Sequence, residues 1–202
     1  MIGPQPADAF AWFAMWANER LSVCLTFARG LRWQAMLDGF GVPASDVTSE
    51  QGMAQTSGES SVVRVGSNGE WGWAIEQFTA RGTTREMLSR LSARGGEAIS
   101  LTLTPTVSSI LYARDGALVS GFDLTASHIR YGSEPNRFDA EMGLAGIGEE
   151  NVPDPPILGA RFVHIAFGLL ITREMLDGAV HLAPTRDHGH RRGDAAPGRA
   201  GH

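Results

Sequence analysis

Apolar and polar positions alternate with a period of two along three successive stretches: EAISLTLTP (97–105), SSILYAR (108–114) and ALVSGFD (117–123). In an extended chain, successive side chains point to opposite faces, so this alternation marks strands with one apolar face. In the first stretch Ile99, Leu101 and Leu103 face inward, and Ser100, Thr102 and Thr104 face outward. Asp115-Gly116 separates the second and third stretches, and both residues accept the positive φ that a two-residue hairpin requires. The pattern predicts an antiparallel meander with one solvated face. Two further runs, SVVRVG (61–66) and EWGWAIEQF (70–78), meet across SNG. In the second run Trp71, Trp73, Ile75 and Gln77 share one face, and Gly72, Ala74, Glu76 and Phe78 share the other. The small residues of that second set leave room for something to lie close against the sheet. Residues 21–28 fit either a strand or the continuation of a preceding helix. The sum is an α+β domain, with an antiparallel sheet of about five to six strands and helices packed on one face.

Helical spacing appears in the remaining apolar segments. Phe10, Phe13 and Trp16 recur at three-residue steps behind Asp8, which suits a helix cap, and Trp12 and Met15 widen the apolar face. Leu31, Gln34, Ala35 and Leu37 define a short helix that stops at Gly39 or Gly41. A helix is also expected at 158–170, and a shorter one near 138–145. The pentapeptide TREML occurs twice, at 84–88 and 172–176, but the flanks of the two copies share nothing. A true repeat would extend further. Each copy reads as a helix start instead: Thr83 or Thr84, and later Thr172, caps the first turn, Glu86 stands three residues after Thr83 as in a capping box, and Met and Leu turn inward.

The segment 42–60 is rich in Ser, Thr, Gly and Gln and reads as a surface loop, and the turn-rich segment 127–156 is irregular outside its short helix. Residues 184–202 hold almost no apolar side chains and are expected to be disordered, which leaves a single α+β domain over residues 1–183. The net charge is −5; the tail carries four arginines against two aspartates, so the preceding 183 residues carry −7. An acidic body disfavours a phosphate backbone as partner, so no nucleic-acid partner is expected, while a basic protein or a small molecule fits. All 17 basic residues other than histidine are arginines, which reflects coding bias rather than chemistry. The N-terminal MIGPQPADAF lacks a basic region followed by an apolar core, and the apolar run 162–171 is about half a membrane span. A cytoplasmic protein without membrane attachment is expected.

Candidate chemistry is sparse. Phosphate loops, CxxC pairs, HExxH and GxSxG are absent, so no cofactor is expected, and GLAGIG (143–148) lacks the dinucleotide order of glycines. Cys24, the single cysteine, reads as a small buried hydrophobe. His188 and His190 sit in a tail with no fold to fix ligand geometry, and His164 reads as a satisfied core or boundary histidine, so no metal site is expected. Glu70, Glu76, Glu97 and Asp123 lie in or beside strands; nothing in their spacing makes them converge, and Glu76, beside Gly72 and Ala74, is the carboxylate of most interest. Five tryptophans are a generous supply, and Trp71 with Trp73 can line a groove or a protein-binding patch. The binding candidates are therefore Trp71, Trp73, Glu76, Arg64 and Arg130; no catalytic residue is assigned.

Several ordered motifs, CLTFARGL (24–31), WGWAIE (71–76), LSARGGEAISL (91–101), YARDGALVSGFD (112–123), RYGSEP (130–135) and LLITREMLDGAV (169–180), resemble an actinobacterial family described as domain of unknown function 6461, over about residues 10–180. The resemblance implies an intracellular bacterial α+β domain and carries over no activity and no site residues. Two readings of function follow. One is a non-enzymatic protein-interaction module, immunity-like or regulatory, with a protein partner. The other is a small-molecule binder or hydrolase that uses sheet-face carboxylates such as Glu76, with Arg64 or Arg130 contacting an anion. The oligomeric state is not legible.

Overall fold

The meander forms as its alternation requires. In the computed structural model, which describes residues 10–43, 61–149, 154–177 and 181–185, the three stretches become β4 (Glu97–Leu103), β5 (Ser108–Arg114) and β6 (Ala117–Asp123). Asp115 and Gly116 take φ of 51° and 78°, as the hairpin turn demands. A bulge at Tyr112/Ala113 shifts the β5–β6 register. The ladder continues through β1 (Val23–Arg29), β2 (Ser61–Asn68), β3 (Trp71–Gln77), a two-residue β7 (Arg130–Tyr131) and β8 (His181–Thr185). The order is β7-β6-β5-β4-β1-β3-β2-β8, and every pair is antiparallel. The α+β class with an antiparallel sheet is as expected; eight strands exceed the expected five to six. The ambiguous run at 21–28 is the most enclosed strand, paired on both sides and buried along six of its seven residues.

Six helices accompany the sheet: α1 (Ala11–Asn18), α2 (Trp33–Gly39), α3 (Arg85–Leu91), α4 (Asp139–Ala145), α5 (Pro155–Phe167) and α6 (Arg173–Asp177). They cover both faces, a correction to the expected single covered face. On the first face Leu25, Phe27, Trp73, Ile75, Leu101 and Tyr112 pack against α1, α4, α5 and α6. Phe122, Phe138, Phe162 and Phe167 interlock there edge to face, with Phe122 and Phe162 at 5.0 Å. On the second face Ala28, Val63, Val65, Ala74, Ala98 and Ala113 pack against Met36 and Leu37 of α2 and Met87, Leu88 and Leu91 of α3. The room beside Gly72 is taken by the chain itself, because a Cβ there would stand 2.6 Å from the Leu31 carbonyl oxygen and 2.8 Å from Met36 Cγ. Ser100 and Thr102, expected to face water, are buried beneath this second layer.

Both TREML copies act as helix starts. Thr84 Oγ1 accepts from the Met87 amide at 3.2 Å, and Thr172 Oγ1 from the Met175 amide at 3.3 Å. Glu86 does not close a capping box; it pairs with Arg90 one turn on. The two starts serve opposite faces, since Met87 and Leu88 enter the second core and Met175 and Leu176 the first. α5 ends at Gly168, whose φ of 68° suits a left-handed cap. Among the described residues no helix is long and apolar enough to cross a membrane. The expected cap at Asp8, most of the loop 42–60, the stop at Gly178 and the tail from 186 onward lie outside the described residues.

Candidate functional site

The five binding candidates do not converge. Trp71 and Trp73 lie in the first core at 7% and 4% exposure rather than in an open groove. Trp73 folds across Gly66, where a Cβ would stand 2.1 Å from its Cζ2, and Trp71 packs edge-on against Phe167 beneath the Arg29 guanidinium. Arg64 is half-buried in β2, opposite Ile75 and Leu182. Arg130 ties β7 to the start of α4: its Nε donates to the Ser127 carbonyl at 2.7 Å, and its guanidinium pairs with Asp139. Two of the other carboxylates in the strands are likewise engaged. Glu97 accepts from the Tyr112 hydroxyl at 2.8 Å and pairs with Arg29, and Asp123 caps the turn at Thr125 and Ala126. His164 is not the satisfied histidine expected, since neither ring nitrogen has a hydrogen-bond partner among the described residues.

Glu76 is the most enclosed ionisable group of the candidates, at 0% exposure. Its Oε1 accepts from the Thr79 hydroxyl at 2.9 Å and the Arg81 amide at 3.1 Å, and its Oε2 accepts from the Gly82 amide at 2.8 Å. The carboxylate thus holds the segment after β3, including the short 3-10 turn Arg81–Thr83, against the second face. Gly82 enters so closely that a Cβ on it would meet Thr26 Oγ1 at 1.9 Å. Around this point Cys24 Sγ lies 3.4 Å from Ser100 Oγ, 3.8 Å from Thr102 Oγ1 and 3.9 Å from Thr26 Oγ1. The result is an internal seam of small polar groups that satisfy one another. Among the described residues no group of His, Cys, Asp and Glu could hold a metal ion.

Burial, reinforced by the nearby Glu76 charge, pushes the Cys24 thiol from its ordinary 9.0 to about 12. The folded chain keeps this proton to about pH 12, whereas the unfolded chain releases it near 9. The thiol's contribution is therefore fully present below pH 9 and is lost as pH rises toward 12, with a slope of up to about 1.4 kcal/mol per pH unit. Urea denaturation at pH 8 to 11 is expected to show this loss in the native chain and a shallower one in Cys24→Ala. A thiol reagent should leave Cys24 untouched until the chain unfolds.

The open chemistry lies at one end of the sheet, where β1 begins and β3 and β4 finish. Leu21 and Phe78 both adopt left-handed backbone, with φ of 59° and 63°, yet their side chains are 66% and 74% exposed. The Phe78 amide donates to the Ser22 carbonyl at 3.3 Å, which sets the two residues beside each other across β1 and β3. Leu21 also lines a small recess with Leu103, Thr104 and Pro105, and beyond it stands Val107, 47% exposed. Leu21, Phe78, Pro105 and Val107 thus make an apolar rim at this end of the sheet. The sequence held no signal for it, because leucine and phenylalanine are not residues from which left-handed backbone is inferred.

A family model matches residues 6–155, and its family is described as one of unknown function, DUF6461. Comparisons with curated proteins and with solved structures found no match.

Proposed function

The chain belongs to DUF6461, a family whose description assigns no activity, and on that premise we propose that it is a cytoplasmic, non-enzymatic interaction module that docks a protein partner through the apolar rim. The observation that carries this reading is the pair Leu21 and Phe78. A left-handed conformation costs a non-glycine residue about 1–2 kcal/mol, and neither side chain recovers that cost by burial. Large apolar side chains retained at a strained, exposed position are what a docking surface requires. The hydrolase reading loses support for a separate reason. Glu76 is enclosed, and the Thr79 hydroxyl and two backbone amides occupy both of its oxygens, so it faces no substrate. Copies with the same acidic surface repel one another, so a partner of opposite charge is favoured over a second copy.

Two measurements test the proposal together. Phe78→Gly is expected to raise the unfolding free energy by about 1 kcal/mol, because glycine adopts this backbone freely. A photo-crosslinking residue at position 78, expressed in the native host, is expected to give one discrete adduct with a different protein. The same residue at Leu144, also exposed but on α4, serves as the control and should give none. The reading fails if position 78 gives no adduct, an adduct with a second copy of the chain, or the same products as position 144.

A further inference from the structure

Behind the rim, between α3 and the β4–β5–β6 part of the second face, opens a cleft of about 560 Å³, within the size range of small-molecule sites. Its construction follows from the sequence in three steps. First, α3 covers the sheet only as far as its seven residues reach, so Leu111 and Leu118 contribute an apolar floor beside Leu88. Second, Tyr131 of β7 lies directly across the ladder from Gly121, and its ring rests on that glycine. A Cβ at Gly121 would stand 2.4 Å from Tyr131 Cε2 and 2.9 Å from Leu111 Cδ2. The ring thereby becomes a wall of the cleft while remaining 41% exposed. Third, the polar residues along the lining include Ser89 and Ser109, with further hydroxyls on Thr83, Thr102 and Thr104, and one charged residue, Arg85, among the described residues.

Arg85 sets the charge of the site. It is the single charged residue among those lining the cleft, and it forms no ion pair among the described residues, whereas its neighbours Glu86 and Arg90 neutralise each other. A planar guanidinium matches a carboxylate with two parallel hydrogen bonds. The leucine floor and the tyrosine face suit an apolar, flat body.

We propose that this cleft is a binding site for a small amphipathic carboxylate, its acid group on Arg85 and its apolar body between Tyr131 and the Leu111–Leu118 floor. Ser89 and Ser109 supply hydroxyls to the lining. A cationic ligand would meet Arg85 with no acidic side chain among the described lining residues to offset the repulsion, and a neutral one would leave the guanidinium without a charged partner.

The test is a titration of the full chain followed by amide chemical shifts, with three probes of one shape: 3-phenylpropanoate, 3-phenylpropanamide and 3-phenylpropylammonium. The acid is expected to saturate, with shifts confined to α3 and β4–β7. The amide should bind at least tenfold more weakly, about 1.4 kcal/mol, and the ammonium should not saturate. Arg85→Gln should erase the difference between acid and amide. Equal affinity for acid and amide, no saturation by the acid, or shifts centred elsewhere would each overturn the proposal. Position 78 takes no part in this titration, so its failure and the failure of the docking reading are recognised separately.

Discussion

Glu76→Ala is expected to lower the unfolding free energy by about 3 kcal/mol, the largest loss from a single polar side chain in this protein. The magnitude follows from what remains behind. The amides of Arg81 and Gly82 would lose their acceptor inside the fold, and each unsatisfied buried donor costs about 1–3 kcal/mol. The Thr79 hydroxyl can turn elsewhere and adds little. Glu76→Gln keeps one acceptor oxygen but presents an amide group to a backbone donor, so about half of the loss is expected. Urea denaturation of the two variants checks both the size and the order. An alanine variant within 1 kcal/mol of the native chain would mean that water satisfies the segment 79–82 and that the carboxylate is not its anchor.

Gly82→Ala is expected to cost about as much, for steric rather than polar reasons. The backbone of Gly82 is not in the left-handed region, so alanine meets no conformational penalty there. The obstacle is Thr26 Oγ1, which would lie 1.9 Å from the new methyl group, with Cys24 Sγ and Glu76 Oε2 each at 3.2 Å. Thr26 sits in β1 between β3 and β4 and cannot retreat, so the segment 79–84 must lift and stretch its bonds to Glu76. A loss of about 3 kcal/mol is expected, within the usual range for overpacking a closed core. Thr26→Ala removes the obstructing atom at small cost, because the Thr26 hydroxyl has only a 3.9 Å contact with Cys24. The double variant should therefore be more stable than Gly82→Ala alone, and strict additivity of the two changes would refute the steric account.

These two residues also show how far the sequence could be read. Strand positions, the Asp115-Gly116 turn and both threonine-started helices were legible because each rests on local chemistry: alternation, backbone freedom at two residues, and a hydroxyl within reach of an amide three residues on. The second face was misread for an equally physical reason. Ser100, Thr102, Thr26 and Cys24 alternate with apolar residues just as a solvated face would, and alternation cannot distinguish water from neighbouring hydroxyls as the partner of a polar side chain. Ala28, Ala74, Ala98 and Ala113 were the available hint, since a row of small residues admits a close second layer. Glu76 stood out in the sequence beside Gly72 and Ala74, but its partners come from the segment that follows β3, and only folding brings that segment underneath the strand.

The same division runs through the functional reading. Membership of DUF6461, an acidic composition and the absence of strong catalytic motifs belong to composition and order along the chain. The exposed rim at Leu21 and Phe78 depends on backbone angles imposed where β1 meets β3, and the cleft depends on Tyr131 crossing to Gly121 and on the space left between Tyr131 and α3. Both join residues tens of positions apart in the chain, and neither has a local energetic signature in the residues that form it, so each came into view only with the packed sheet.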